Sequence, residues 1–542
     1  MAAVTLERAG EAAGDLRDLA SERYVRLRTR LVGVRPSDRL FGWLGPLVVA
    51  AIGGFLRFWN LGNPHQLVFD ETYYVKEGWS MIQYGVEVRN DPTLDAAKQI
   101  DQNFTAGHWR TVYDATNGDL VVHPPVGKWV IGLGEWLFGI TNSFGWRFSV
   151  ALLGTLSILM VGRAARRMFG SSLLGTVAAI LLAFDGHHFV HSRTGLLDLV
   201  VMFFAFAGFC FLLIDRDHGR EVLARRVAAL PRGGMTRTGP SLGWRPWRWA
   251  AGLMLGLSTA TKWSGLYFVV AFGLMTVLWD LGARRAAGVP GWRWAWLVRD
   301  APYAFVQLVV TTVVVYVASW TGWFRSTQGY NRQWADTHPS AHFGWVPGPL
   351  RSLADYHRQM YDFSINLHSP HPYMSNPWSW MLQGRPTSFF YEGPTKGQDG
   401  CTVAVCSKAI TSIGTVSVWW GGLIAIVVLL FMWALRRDWR AGAILAGLAG
   451  GWLPWFLYQD RTIFTFYAVA FVPYVVLACT YVLGLCLGGP SATRSRRQVG
   501  LLVTGLFCAL TVGLFAFFYP IYVAEVVPQD FWRAHMWFPS WV

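Results

Sequence analysis

Cysteine is scarce in this chain, with six in 542 residues. Two of them, Cys401 and Cys406, lie close together in a polar segment. A disulfide between these two is expected if that segment faces an oxidising compartment, and two free thiols are the alternative. The other four lie in or beside apolar segments and are interpreted as small buried hydrophobic residues: Cys210, Cys479, Cys486 and Cys508.

The first 40 residues contain no apolar stretch of the kind found in a secretory signal peptide. They carry eight Arg instead. We therefore expect no cleavable signal peptide here, and we expect this basic segment to stay in the cytoplasm.

Long apolar runs, in contrast, recur along the chain. The hydrophobic fraction is 53% and the mean hydropathy is +0.31. Residues 411–435 contain no charge, and residues 41–59 contain only Arg57. About 20 apolar residues suffice to cross a bilayer. We predict an all-α polytopic membrane protein with eleven spans, near 41–60, 144–162, 172–190, 194–214, 249–261, 263–279, 301–323, 411–434, 441–458, 462–485 and 500–520.

The net charge of +15 does not indicate a nucleic-acid-binding protein, because the basic residues are not gathered into one domain. They occupy alternate gaps between apolar segments, as the positive-inside rule requires. With the N-terminus inside, 29 of the 47 Lys and Arg residues fall in cytoplasmic pieces. This orientation places the C-terminus outside.

Two long external loops follow from this topology, at 61–143 and 324–410. They divide the chain into a basic segment (1–40), a membrane core with the first loop (41–323), the second loop (324–410), C-terminal membrane helices (411–520) and an external tail (521–542). Residues 128–140 of the first loop place Trp129, Leu133, Trp136 and Leu137 on one side, which predicts a helix in the membrane interface. Loops of this size favour an enzyme at the outer surface over an ion conductor.

Two adjacent carboxylates, Asp70 and Glu71, follow the first span by about ten residues. A carboxylate at the membrane edge can act as a general base. The alternative is that the pair stabilises a helix N-terminus. Farther along the loop, Pro124 and Pro125 predict a rigid turn that begins with His123. His123 either contacts a substrate or the carboxylates, or lies exposed at a helix start.

Charged residues also stand at the predicted external ends of other spans. Such charges are costly near the membrane and are often functional. Arginines and a lysine that converge there could bind a phosphate. Snorkelling to the interface is the alternative. The residues concerned are Arg147, Asp185, Arg193, Asp198, Lys262, Asp460 and Arg461.

Three histidines, His187, His188 and His191, suggest a metal site, since His187 and His191 share a helix face. No third ligand matches them in the sequence, so we predict no metal site there.

The segments described so far resemble the protein O-mannosyltransferase family in order over roughly 41–520. The resemblance rests on Asp70-Glu71, on His123-Pro124-Pro125, on Ser192-Arg193 with Leu196-Leu197-Asp198, and on residues 261–266 (TKWSGL). It extends to His371-Pro372-Tyr373 with Pro377-Trp378-Ser379-Trp380, and to residues 461–467 (RTIFTFY). The three histidines near 187–191 are not part of the family pattern.

The resemblance implies a GT-C glycosyltransferase that moves mannose from polyprenyl phosphate mannose to Ser or Thr of a translocating protein, with inversion. It implies Asp70 as the base and Glu71 as a catalytic residue that helps to position donor or acceptor. Arg147, Arg193, Lys262 and Arg461 are implied as donor or phosphate contacts. Substrate positioning is expected of His123, Asp198 and Tyr73.

No cofactor beyond the lipid donor is expected, and dependence on a divalent metal is left open. Unfolded Ser/Thr-rich polypeptides are the expected acceptors, with the Sec translocon as a possible partner in the cell membrane. The second loop is too short for the β-trefoil domain of eukaryotic members, which favours a bacterial-type enzyme. The 41 Arg against 6 Lys fit a GC-rich genome.

Two other functions remain open at this point. A GT-C enzyme could transfer its sugar to a lipid or glycan instead of a protein. A transporter or lipid scramblase would show internal repeats and several charges deep in the spans. The sequence has no evident repeat and no deep charge beyond Arg57 and Asp185, which disfavours this last class.

Overall fold

The computed structural model describes residues 21–33, 37–91, 93, 97–231, 233–340, 342–489 and 491–542. Half of the predicted basic segment, residues 1–20, therefore lies outside the described residues, as do residues 34–36. Residues 21–32 form helix α1.

Helices dominate the remaining structure. In the first half of the chain they are α2 (Arg39–Phe58), α3 (Glu71–Tyr84), α4 (Ala97–Thr105), α5 (Val126–Phe138), α6 (Ser143–Phe169), α7 (Ser172–Ala183), α8 (Gly186–His191), α9 (Leu197–Ala228), α10 (Pro246–Thr259) and α11 (Gly265–Ala286). In the second half they are α12 (Trp292–Arg299), α13 (Ala301–Phe305), α14 (Thr311–Ser319), α15 (Thr321–Arg325), α16 (Trp334–Thr337), α17 (Gly348–Ile365), α18 (Val416–Arg436), α19 (Trp439–Trp452), α20 (Val472–Leu487), α21 (Arg494–Phe518) and α22 (Gln529–Ala534).

Eight helical segments of the described chain are long and apolar enough to cross a membrane. They confirm the multi-pass prediction, and each matches one predicted span: Arg39–Phe58, Ser143–Phe169, Leu197–Ala228, Gly265–Ala286, Ala301–Ser319, Val416–Arg436, Thr465–Leu487 and Arg494–Tyr522. The other three predicted spans correspond to α7, α10 and α19, with 12, 14 and 14 residues. The total of eleven stays a prediction.

The ends of α6 show how local sequence sets a long helix. The side chain of Asn142 accepts a hydrogen bond from the Phe144 N–H and caps the N-terminus. Arg166 and Arg167 stand in the last turn, where their charge complements the helix dipole. Gly170 then adopts φ 65° and ends the helix. The result is a helix of 27 residues. It packs against α2, α5, α7 and α9.

Two small antiparallel sheets were not predicted from the sequence. Strands β1 (Val88–Asn90) and β2 (Tyr113–Gly118) pair within the first loop. In the second loop, β3 (Thr387–Glu392) pairs with β4 (Cys406–Ser412), which also pairs with β5 (Val526–Pro528) from the C-terminal tail. The tail is therefore built into the second loop. Cys401 and Cys406 form a disulfide at the start of β4.

The two loops and the tail meet at one end of the helix bundle. The Asn63 side chain in the first loop donates a hydrogen bond to the Val523 carbonyl, 2.9 Å away. The Trp541 indole donates to the Gln383 carbonyl at 2.7 Å. This shared end, called the loop end below, carries the candidate site.

The predicted interfacial helix corresponds to α5, whose apolar face is exposed at Trp129, Leu133, Trp136 and Leu137. Its other face packs against α3 at a pair of glycines. A Cβ added at Gly132 would lie only 2.7 Å from the Gly78 carbonyl oxygen, so the close approach of the two helices requires glycine. This contact fixes α3, whose N-terminus bears the predicted catalytic carboxylates.

Candidate active site

Asp70 stands at the N-cap of α3, directly after Phe69, whose backbone adopts φ 50°. Within the described chain, the half-buried Asp70 carboxylate has no hydrogen-bond partner. Burial raises the pKa of Asp70 to about 6, with Lys262 opposing the rise and Asp198 adding to it. A carboxylate with this pKa is ionised at neutral pH and can still take up a proton, as a general base must.

The neighbouring Glu71 has a different environment. Its side chain is fully buried and forms a bidentate ion pair with Arg147, with both N–O distances at 2.8 Å. It also accepts hydrogen bonds from the backbone N–H groups of Gly195, at 2.7 Å, and Val68, at 3.0 Å. No oxygen of Glu71 is left for a substrate. These contacts favour a structural role over the predicted catalytic one.

The hydrogen-bond donors of Arg147 are also fully used within the protein. Besides Glu71, it donates to the carbonyl oxygens of Leu61, Pro64 and Gln66 at 3.0–3.2 Å. A guanidinium group has five N–H donors, and these five hydrogen bonds use all of them. The predicted contact with a donor phosphate is therefore not favoured. Arg147 instead ties the 61–66 turn to Glu71 and so sets the position of Asp70.

Arg193 also departs from its predicted role. Its guanidinium donates to the carbonyl oxygens of Leu56, Arg57, Trp59 and Asn60, at 2.7–3.1 Å. These groups close the C-terminus of α2, where backbone carbonyls lack helical partners. Arg193 thus caps α2 and supports the turn before Asp70.

Lys262 and Asp198 form the ion pair that faces Asp70. The Lys262 ammonium lies 2.9 Å from both carboxylate oxygens of Asp198. Both side chains are buried, with 7% and 5% of their residues' surfaces exposed. The Lys262 Nζ also lies 4.9 Å from the centre of the Tyr467 ring. The sequence assigned Lys262 to the donor and Asp198 to substrate positioning, and the structure brings both to Asp70.

A small cavity of about 100 Å³ opens beside this pair. Its polar lining includes Lys262, His123 and Arg461. The Arg461 Nε is buried and has no hydrogen-bond partner among the residues that the structure describes. Burial and the charges of Lys262, Lys128 and Arg461 hold the pKa of His123 well below its usual value, so that His123 is neutral. The cavity therefore presents two cations, one of them unpaired, close to a carboxylate.

Tyr73 is less well placed than the other predicted residues. It is 61% exposed on α3, and the described chain provides no hydrogen-bond partner for its hydroxyl. Its predicted role in substrate positioning gains no support from a contact in the structure.

Aromatic residues of the site were not identified as functional from the sequence. Phe69 stacks on Phe389 of β3 with ring centres 4.7 Å apart, and it meets the edge of Phe466 at 5.2 Å. These contacts tie the backbone beside Asp70 to the second loop and to residues 465–471. Tyr467 contacts Lys262 and lines the cavity. The only signal in the sequence was the run of aromatics after Arg461.

The three histidines pack behind the site. His188 bridges Arg57, at 2.8 Å from Nδ1, and Ser157, at 2.9 Å from Nε2. The Nδ1 atoms of His187 and His191 lie 3.0 and 3.4 Å from the Ser412 hydroxyl. Over the described part of the chain, no group of three or more His, Cys, Asp or Glu is arranged for a metal. The deep charge Arg57 is thus paired with His188.

Comparison with known proteins adds an independent result. Residues 47–323 match the family described as dolichyl-phosphate-mannose-protein mannosyltransferase, and residues 349–541 match the C-terminal four-transmembrane region of protein O-mannosyltransferase. The chain is 39% identical to a polyprenol-phosphate-mannose–protein mannosyltransferase of Mycolicibacterium smegmatis strain MKD8 over 524 residues, which is 93% of this chain and 94% of the relative. It is 37% identical to the protein of the same description from Mycobacterium tuberculosis, with 93% of each chain covered.

Among solved structures, the chain is similar to the Saccharomyces cerevisiae protein O-mannosyltransferase Pmt1–Pmt2 complex bound to the sugar donor. The TM-score is 0.66 at 15% sequence identity, with 96% of this chain and 94% of that chain covered. This similarity concerns the fold, and it confirms the predicted GT-C architecture.

Proposed function

Because the chain belongs to the dolichyl-phosphate-mannose-protein mannosyltransferase family, we propose that it transfers mannose from polyprenyl phosphate mannose to Ser or Thr hydroxyls of proteins. The observation that carries this proposal is the group formed by Asp70, Asp198, Lys262 and Arg461 at the loop end. It combines a base with cations beside a cavity. An enzyme that joins a hydroxyl to a sugar held on a phosphate requires both.

In the proposed reaction, the acceptor hydroxyl oxygen attacks the anomeric carbon of mannose. The bond between that carbon and the phosphate oxygen breaks, and the phosphate leaves with the bonding electrons. Asp70 takes the hydroxyl proton. Attack opposite the leaving phosphate turns a β-linked donor into an α-mannoside. The reaction balances without a further cofactor.

Lys262 and Arg461 are proposed to stabilise the charge that develops on the departing phosphate. Preorganised cations act most strongly where water is excluded. Arg461 is the better candidate for direct contact, because its buried Nε has no protein partner in the described structure. Lys262 is held by Asp198, and its charge reaches both the cavity and Asp70.

We further propose that the loop end lies on the outer side of the cell membrane. The distribution of Arg and Lys supports this orientation. Acceptors would then be unfolded, Ser/Thr-rich chains emerging from the membrane, with the Sec translocon as their source. Proximity of the site to such a translocon would favour hydroxyls that are not yet buried by folding.

The direct test is transfer in vitro. The purified protein is reconstituted with radiolabelled polyprenyl phosphate mannose and a Thr-rich peptide. Label on the peptide, removable by an α-mannosidase, is the expected result. A parallel reaction contains lipid and glycan acceptors extracted from the membranes of the producing cells. Label that appears only in these acceptors would favour the alternative GT-C function and overturn the proposal.

The rate of transfer is expected to depend on pH through Asp70. Its carboxylate must be ionised to act as a base, so kcat/KM should fall as the pH drops through about 6. Lys262→Met removes a cation that lowers this pKa. It should therefore shift the acidic limb of the profile of kcat/KM against pH to higher pH. Asp198→Asn removes an anion that raises the pKa, and should shift the limb to lower pH.

Both variants break the same ion pair, so both should reduce the maximal rate. Only the opposite shifts of the limb identify Asp70 as the titrating group. Limbs that stay at the wild-type pH, or that move in the same direction, would assign the titration to another residue.

A further inference from the structure

A large cavity lies at the end of the bundle opposite to the proposed active site. It has a volume of about 1180 Å³ and is bounded by the start of α2, the C-terminal part of α6, the middle of α9 and the adjoining ends of α18 and α19. Eight arginines line it, against two aspartates, Asp217 and Asp438. The proposed transfer reaction, which takes place at the loop end, leaves this positive cavity unexplained.

Part of the positive charge is neutralised within the protein. Arg167 and Arg216 both contact Asp217, at 2.6 and 3.0 Å. Arg440 forms a bidentate pair with Asp438. The two aspartates are therefore already bound to arginine, and the cavity retains a clear excess of positive charge.

Among the arginines that line the cavity, Arg216, Arg436 and Arg437 have donors with no partner in the described chain. Arg216 is 5% exposed and its guanidinium carbon lies 3.5 Å from the centre of the Trp439 ring. Its buried Nε has no hydrogen-bond partner in the described chain. Arg436 and Arg437 are exposed, and none of the described residues forms an ion pair or hydrogen bond with their side chains. Guanidinium donors that no protein group uses can bind a phosphate.

The flanks of the cavity are apolar. On α2, Leu44 and Leu47 are 47% and 45% exposed, and on α18, Phe431 and Leu435 are 62% and 75% exposed. These surfaces continue into the membrane-spanning parts of both helices. A free phosphate would make no use of them, whereas the acyl chains of a lipid would cover them.

We propose that this cavity binds the phosphodiester headgroup of an anionic phospholipid, with Arg216, Arg436 and Arg437 as phosphate contacts. Basic pockets between membrane helices on the cytoplasmic side characteristically hold such headgroups. The acyl chains lie along α2 and α18. The lipid fills the space between the N-terminal half of the bundle and α18–α19, and so ties the two halves together at the end remote from the active site.

The test measures lipid binding directly, independently of mannosyl transfer. The full chain, purified in detergent, is titrated with phosphatidylglycerol and with phosphatidylcholine of the same acyl chains, and bound lipid is counted by native mass spectrometry. The wild type is expected to retain one phosphatidylglycerol per chain in preference to phosphatidylcholine. Arg436→Gln with Arg437→Gln should weaken this binding by about tenfold or more.

A matched control removes two exposed arginines outside the cavity, Arg285→Gln with Arg494→Gln, and should leave the retained lipid unchanged. An equal loss in the control would show general attraction to the surface and overturn the proposal. The absence of any preference for phosphatidylglycerol in the wild type would overturn it without a variant. Displacement of the lipid by an equal concentration of inorganic phosphate would show an anion site that does not recognise lipid, and this result would also overturn the proposal.

Discussion

Asp70→Asn is expected to lower mannosyl transfer by about 10²–10⁴, the range typical of a lost general base. Asparagine keeps the size of the side chain but cannot accept the proton of the acceptor hydroxyl. Since the Asp70 carboxylate has no hydrogen-bond partner in the described structure, its replacement breaks no contact that holds the loop. The loss should therefore appear in kcat, measured with labelled donor and a Thr-rich peptide, with the yield of inserted protein unchanged.

A suitable control for this variant is Asp114→Asn in the same loop. Asp114 is half-buried, and within the described structure its side chain bonds only to two neighbouring residues, Thr116 and Asn117. Wild-type transfer is expected from it. Wild-type turnover in Asp70→Asn itself would remove Asp70 from the mechanism and move the search for a base to Asp198.

The sequence predicted the membrane helices well because apolar length is a local property. Each predicted span has a helix in the structure, although α7, α10 and α19 are too short to confirm the total by themselves. The small sheets were missed for the opposite reason. Strand β5 pairs with β4 across more than 100 residues of chain, and its three residues carry no alternating pattern of their own.

The candidate site was predictable only in part. Asp70 and Glu71 are neighbours in sequence and both are acidic, so the pattern could not separate their roles. Successive residues at a helix start point in directions about 100° apart, and this difference sends Asp70 toward Lys262 and Glu71 toward Arg147. The partner of Glu71 lies 76 positions away, and the partner of Lys262 lies 64 positions away. Pairings over such distances depend on the packing of α3, α6 and α9, which a single sequence does not specify.

Arg147→Met is expected to destabilise the protein by about 3–5 kcal/mol, the cost of leaving one member of a buried ion pair without its partner. Glu71 would stay buried with its charge uncompensated, and the carbonyls of Leu61, Pro64 and Gln66 would lose their donor. The free energy of unfolding in detergent, followed by denaturant titration, measures the effect. A contact with the donor phosphate would instead raise KM for the donor and leave the stability unchanged.

The double variant Arg147→Met with Glu71→Gln distinguishes the ion pair from the other hydrogen bonds of Arg147. Glutamine carries no charge and its single carbonyl oxygen can still accept from one of the Gly195 and Val68 N–H groups, so the double variant should be more stable than Arg147→Met alone. Arg358→Met is the surface comparison, since Arg358 pairs with Asp355 and Asp362 while its own side chain is 64% exposed, and exposed pairs contribute about 0–1 kcal/mol. If Arg147→Met cost no more than Arg358→Met, the Glu71–Arg147 pair would not hold the turn before Asp70. The position of the base would then have to depend on the stacking of Phe69 against Phe389.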